Sequence, residues 1–144
     1  MENKDFRSGY IAIVGAPNAG KSTLLNQLLK QKISITAPKP QTTRNRVTGI
    51  LSRADCQIIF IDTPGICKAS DEFNRAMVET SLSTLSESDV VLLVVEQEAD
   101  RFVNEFILDN LRRISTPVIL LINKIDTLGN KGLLLPLMES WRKR

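Results

Sequence analysis

The sequence predicts an α/β fold of three layers, helix–sheet–helix, built around a mostly parallel sheet. Short apolar runs at residues 10–14, 58–61, 90–95 and 118–122 recur along the 144 residues. They are nearly continuous rather than alternating, which suits strands covered on both faces. Segments with helical spacing of apolar residues lie between them. Strand–helix alternation of this kind puts helices on both faces of a parallel sheet.

Each element follows in order. Residues 10–14 form a β-branched first strand. Residues 21–30 read as a helix with Leu24, Leu25, Leu28 and Leu29 on one face. Residues 37–46 are polar, with Pro38, Pro40 and the pair Thr42-Thr43, and read as a loop. Residues 47–52 are expected as an antiparallel edge strand after that loop. Helices are expected at 72–85 and 102–114, the latter with Phe102, Phe106 and Leu111 at helical spacing. Leu133, Leu134, Leu135, Leu137 and Met138 fall in a last helical segment with apolar surface on more than one face. The run Gly129-Asn130-Lys131-Gly132 matches a GxxG nucleic-acid loop in letters only. It follows the preceding strand's loop directly and reads as an ordinary loop opening the last helix.

Composition narrows the chemistry. The chain is 42% hydrophobic and 24% charged, as one soluble globular domain would be. A formal net charge of +3 is too mild to argue for nucleic acid by itself. There is no histidine, so histidine triads and histidine metal sites are excluded. Catalysis must use carboxylates, Lys, Arg, hydroxyls, backbone amides or an oxygen-bound metal. Cys56 and Cys67 lack CxxC spacing and read as free thiols of a reducing cytosol. No apolar run reaches membrane-helix length, and the N-terminal apolar stretch is broken by Gly15 and Pro17, a poor signal peptide. A cytoplasmic location is expected.

Four motifs carry chemistry. The first is Gly15-Ala16-Pro17-Asn18-Ala19-Gly20-Lys21-Ser22, a GxxxxGK[ST] loop between a strand and a helix, which makes the fold a P-loop nucleotide-binding one. Its glycines let backbone N–H groups curl around phosphate oxygens at a helix N-terminus, with Thr23 following. Lys21 would bridge the β- and γ-phosphates, and the Ser22 hydroxyl would ligate Mg²⁺. The second is Asp62-Thr63-Pro64-Gly65, followed by Ile66, at the end of the 58–61 run. Asp62 can hold Mg²⁺ through a water, and the Gly65 amide can donate to a γ-phosphate. The third is Asn123-Lys124-Ile125-Asp126. The Asp126 carboxylate can accept from both N1–H and the exocyclic amine of guanine, whereas adenine would leave it unpaired. The Lys124 stem can cover the base, and Asn123 can tie this loop to the first motif. The fourth is Gln41-Thr42-Thr43-Arg44. Thr43, with Thr42 in reserve, would complete the magnesium shell and sense the γ-phosphate. Ligands of open α/β folds bind at the carboxyl ends of strands, so the strand-end motifs converge on one crevice.

These residues resemble a known family. GAPNAGKSTLLN, KISITAPKPQTTRNRVTGI, IDTPGI and NKID are similar to the Era family of bacterial GTPases, over residues 9–126 and more weakly through LLLPLMES. KPQTTRNRVTGI is the specific part. The resemblance implies a GTP/GDP switch in assembly of the 30S ribosomal subunit, with small-subunit rRNA as partner, chiefly through a KH domain. It also implies loose peripheral association with the inner face of the membrane. The family carries a fifth, SA-containing guanine motif after a sixth strand, then the KH domain. This chain reaches Arg144 before either, so residues 1–144 are expected to be one GTP-binding domain, incomplete before the sixth strand and last helix.

The resemblance also bears on rate. Ras-type proteins place a water-orienting glutamine where this chain has Ile66, a hydrophobic substitution that Era-like proteins share. Arg44 is a candidate arginine finger by position alone and reads better as a loop cation. Hydrolysis is therefore expected to be slow, on the order of 10⁻⁴ to 10⁻² s⁻¹, and to rest on Lys21, Thr43, Gly65, Mg²⁺ and P-loop amides. Asn18 stands where several relatives hold K⁺. Three other classes share some of these features: a binding module without turnover, an ATP-using P-loop protein, and a GTPase of tRNA modification or large-subunit assembly. Ser22, Thr43 and Asp62 argue against the first, NKID against the second and KPQTTR against the third.

Overall fold

The computed structural model describes residues 6–32, 47–65, 72–97 and 101–144. Five strands form one sheet: β1 (Arg7–Gly15), β2 (Val47–Ser52), β3 (Cys56–Asp62), β4 (Val90–Val95) and β5 (Val118–Ile122). Among the described residues four α-helices accompany them: α1 (Lys21–Leu29), α2 (Glu72–Ser86), α3 (Arg101–Leu111) and α4 (Leu134–Arg142). The strand order is β2-β3-β1-β4-β5. Every pair is parallel except β2 with β3. The antiparallel strand expected at 47–52 is thus present with those bounds.

Alternation of side chains divides the core in two. Ala12, Val14, Val91, Leu93 and Val95 face α2, α3 and α4, where Leu85, Ile107, Leu111 and Trp141 meet them. Ile13, Phe60 and Val94 face the opposite way, onto Ala19 and the fully buried Leu25 of α1. The period of two in the strands therefore produces the three layers. Ala12, Ile13 and Val14 of the central strand are wholly buried, which is why the sequence shows a run there rather than alternation.

Several details depart from the sequence expectation. Helix α1 ends at Leu29, because Lys30 adopts φ 52° and its N–H turns back to the carbonyls of Asn26 and Gln27. Leu28 is exposed, while Leu24 and Leu29 flank Leu25 on the core. Helix α3 ends at Leu111, and a turn over Arg112 and Arg113 leads to Ile114, which packs on the core. Ile107 and Leu111 are buried at a spacing of four, Ile114 just past the helix is partly buried, and Phe106 is exposed. The run at Gly129–Gly132 leads into a 3₁₀ turn, Lys131–Leu133, in which the Asn130 side chain accepts from Gly132 N at 2.8 Å. That is the loop-and-helix-start expected there. Leu137 and Trp141 pack inward from α4, leaving Leu133, Leu135 and Met138 exposed. The loop at 37–46, with Gln41, Thr42, Thr43 and Arg44, lies outside the described residues, as do Ile66 and Cys67.

Candidate functional site

The register sets the site. Ile13 lies beside Asp62, Gly15 beside Val94, and Val95 beside Ile122. The loops after β1, β3, β4 and β5 therefore leave the sheet at one edge. The chain moves from β1 to β3 on one side and to β4 on the other, so a topological switch point lies at the end of β1.

The loop after β1 is fixed by close backbone approaches. A side chain at Gly15 would run into the Val94 carbonyl. Gly20 has φ 99° and opens α1, and a side chain there would strike the Asn123 amide. Asn18 also sits in the left-handed region, φ 62°, which asparagine tolerates better than most residues. Gly20, which opens α1, has no side chain to cap its first turn. Lys21 is buried, and its ammonium donates to the carbonyls of Ala16 at 2.8 Å and Gly15 at 3.2 Å. The lysine is thereby folded over the loop that it would serve.

Next to it, Ser22 Oγ donates to Asp62 Oδ2 at 2.6 Å. Asp62 is fully buried at the end of β3. These are two hard oxygen donors side by side, and no cluster of three or more Cys, Asp or Glu exists among the described residues. That donor set fits Mg²⁺, which binds through one or two protein oxygens and takes the rest from water and phosphate. The segment after Asp62 is pinned as well. Thr63, fully buried, donates through its hydroxyl to the Ile13 carbonyl at 2.8 Å. Gly65 lies against Pro17, where an added Cβ would come within 2.7 Å of the Pro17 Cα.

The loop after β5 joins the same place. Asn123 Nδ2 donates to the Ala19 carbonyl at 2.9 Å, the tie that the sequence suggested. Asn123 N also donates to the Val95 carbonyl at 2.7 Å. Lys124 has φ 55° and starts a 3₁₀ turn over Ile125–Thr127, on which Asp126 is exposed. Thr127 closes the turn onto the Lys124 carbonyl. The Lys124 ammonium pairs with Glu96 at 2.7 Å.

The structure thus brings together residues 15–23, Asp62, Thr63, Pro64, Gly65, Asn123, Lys124 and Asp126. Thr43, Thr42 and Ile66 lie outside the described residues. Sequence reasoning missed Glu96, the Thr63 anchor and the buried hydroxyl Ser81 of α2, which donates to the Pro64 carbonyl at 2.9 Å. A serine on the buried face of a helix was the available signal for the last.

Comparison with known proteins gives the same outline. The profile of a family described as 50S ribosome-binding GTPase matches residues 10–124. The chain is 50% identical to the GTPase Era of Geotalea uraniireducens over 135 residues, covering 93% of this chain and 46% of that protein. It superposes with TM-score 0.89 and 43% identity on a crystal structure of Era in complex with MgGDPNP and nucleotides 1506–1542 of 16S ribosomal RNA, covering 96% of this chain and 47% of that one. With Aquifex aeolicus Era bound to GDP·AlF₄⁻ the TM-score is 0.87 at 44% identity, over 94% and 47% of the two chains. The chain spans about half the length of the relatives it matches.

Proposed function

The chain belongs to the Era-like P-loop GTPases, and from that premise we propose that it binds GTP with Mg²⁺, hydrolyses it slowly to GDP, and serves as a switch in 30S subunit assembly. The observation that carries the hydrolytic reading is the Ser22–Asp62 pair at 2.6 Å, next to the buried ammonium of Lys21. A nucleotide module without turnover has less need of that oxygen pair.

In this reading residues 15–23 wrap the phosphates, and the uncapped α1 N-terminus adds favourable potential. Lys21 leaves the Gly15 and Ala16 carbonyls for the β- and γ-phosphate oxygens. Ser22 would bind Mg²⁺ directly, Asp62 would hold it through a water, and Thr43 would complete the shell. The ion would supply neutralisation of charge on the phosphoryl group. The Gly65 amide donates to the γ-phosphate, with Thr63, Pro64 and Ile66 shaping that turn. Asp126 reads guanine, Lys124 covers the base, and Glu96 holds Lys124 in place. Asn18 is a candidate K⁺ ligand in the P-loop, where a cation would act as an arginine finger does.

Residues 1–144 act as one GTP-binding domain in this proposal. Small-subunit rRNA is the proposed partner of the whole protein. The 16S rRNA fragment bound to its relative supports that choice, as does the high identity to GTPase Era, against the large-subunit role that the family description suggests. Among the described residues no helix is long and apolar enough to cross a membrane. Cytoplasmic location with peripheral contact to the inner membrane face is carried over from the family resemblance alone.

The test is single-turnover hydrolysis of radiolabelled GTP, with Mg²⁺ and with EDTA, in competition with GDP and ADP. Phosphate release that needs Mg²⁺ and is blocked by GDP but not ADP supports the proposal. Tight GDP binding with no release over hours would leave the binding module as the better reading.

A further inference from the structure

The segment Asp62–Gly65 is fastened at both sides, and the fastening to α2 falls on one peptide plane. The Pro64 carbonyl accepts the Ser81 hydroxyl at 2.9 Å. Ser81 is fully buried, and Pro64 and Gly65 are buried too. The same peptide unit carries the Gly65 N–H. No cis peptide occurs among the described residues, so this C=O and this N–H point in opposite directions. With the carbonyl held toward α2, the amide hydrogen is aimed away from α2. Gly65 itself lies close against Pro17 of the P-loop, where a side chain would otherwise stand. The segment is therefore held to α2 through the Pro64 carbonyl and packed against the P-loop at Gly65.

We infer that Ser81 is a positioning residue for phosphate sensing: by holding the Pro64 carbonyl it aims the Gly65 amide, and it ties α2 to whatever phosphate that amide meets. The inference rests on the GTPase reading given above and goes beyond it. Without the Ser81 donor, a buried carbonyl loses its partner and the plane gains freedom to turn toward another one. Turning the carbonyl necessarily turns the amide off its target. A nucleotide ending in a β-phosphate does not use that amide, whereas one with a γ-phosphate does. The effect must then separate the two nucleotides. General weakening of α2 would not do so through this plane. Thr84 supplies the comparison, because it is another fully buried hydroxyl of α2 but donates within the helix, to the Thr80 carbonyl at 2.8 Å.

The experiment uses the 144-residue chain, its Ser81→Ala variant and its Thr84→Val variant. Dissociation constants for GDP and for GppNHp are measured with Mg²⁺, alongside single-turnover hydrolysis and a thermal melt. Ser81→Ala is expected to weaken GppNHp by roughly 3- to 10-fold, the scale of one neutral hydrogen bond. It should lower the hydrolysis rate by a similar factor and leave GDP within about twofold, the scatter allowed for an interaction not made. Thr84→Val is expected to keep the wild-type GppNHp/GDP ratio. The inference is overturned if Ser81→Ala keeps that ratio, if it weakens both nucleotides equally, or if Thr84→Val shifts the ratio as much. A wild-type chain that binds neither nucleotide would overturn the GTPase reading itself and this inference with it.

Discussion

Asn123 and Ala19 lie 104 positions apart, yet the Asn123 amide donates to the Ala19 carbonyl at 2.9 Å. The bond joins the loop after β5 to the loop after β1, and Gly20 leaves room for it. In the proposed GTP site Asn123 would therefore set the distance between the base-reading and phosphate-binding loops. Asn123→Ala should weaken GDP and GTP alike, by about 0.5–1.5 kcal/mol or ~2- to 10-fold, as one neutral hydrogen bond is lost. Titration with fluorescent GDP and GTP analogues checks this. A loss confined to the triphosphate would mean that Asn123 does something other than space the loops.

Asp126 stands on a turn whose geometry is fixed by Lys124 and Thr127 rather than by its own carboxylate. Changing its chemistry should therefore leave the turn in place. Asp126→Asn is expected to lose roughly 1.5–3 kcal/mol of GTP binding, a charge-assisted interaction, and to gain XTP binding, because the C2 carbonyl of xanthine accepts from the new amide. Competition of XTP against GTP reads the switch directly. An unchanged preference for GTP would remove Asp126 from base recognition.

Much of this site was legible in the letters, for a physical reason. Close packing against Val94 and Asn123 needs glycine at Gly15 and Gly20, and those needs leave fixed spacings in the sequence. Buried strands likewise announce themselves as apolar runs, so β4 and β5 were read to the residue. What stayed hidden depends on rotation about helices and on tertiary partners. Phe106 and Ile107 are adjacent apolar residues, and only the packing of α3 decides that Ile107 goes inside. Ser81 and Thr63 look like ordinary polar residues until their acceptors, Pro64 and Ile13, are brought alongside. Glu96 similarly gains a role only when β4 and β5 are paired and Lys124 lies across from it.

The Ser22–Asp62 contact predicts a metal dependence. Ser22→Ala removes one of the two oxygens, so Mg²⁺ should lose a direct ligand while the phosphates keep their backbone donors. The variant should bind GTP nearly as wild type in EDTA and about tenfold more weakly than wild type in Mg²⁺, a loss typical of a contact to a charged group. Lys21→Ala should abolish measurable turnover in either case. Isothermal titration with and without Mg²⁺ checks the first. Equal losses in both conditions would reject Ser22 as a metal ligand.

The monovalent cation proposed at Asn18 predicts a salt-specific rate. The residue sits in the left-handed region within the P-loop. At equal ionic strength KCl should raise single-turnover GTP hydrolysis over NaCl, and Asn18→Asp should alter that difference. Identical rates in the two salts, or a stimulation that the variant leaves untouched, would count against the site.

The edge of the sheet predicts behaviour in solution. Among the described residues β5 has a partner on one side only, β4. Val118, Ile119 and Leu120 are all more than a third exposed, with Ile119 at 55%. An apolar strand with an open row of backbone N–H and C=O groups is a template for pairing with another chain. Leu133, Leu135 and Met138 on and before α4 add further exposed apolar surface to the molecule. The 144-residue chain should therefore show concentration-dependent self-association. A charge in the middle of that edge should suppress it, since a lysine there would have to be desolvated on pairing. Ile119→Lys is expected to lower light scattering and shift the sedimentation profile toward monomer. Its GDP affinity should stay within about twofold of wild type, because substitutions far from a site and sharing no partners with it act independently. Sedimentation velocity across a tenfold concentration range decides the matter. A wild-type chain that stays monomeric throughout would show that this edge is protected by means other than charge, and that its exposed isoleucine carries no association.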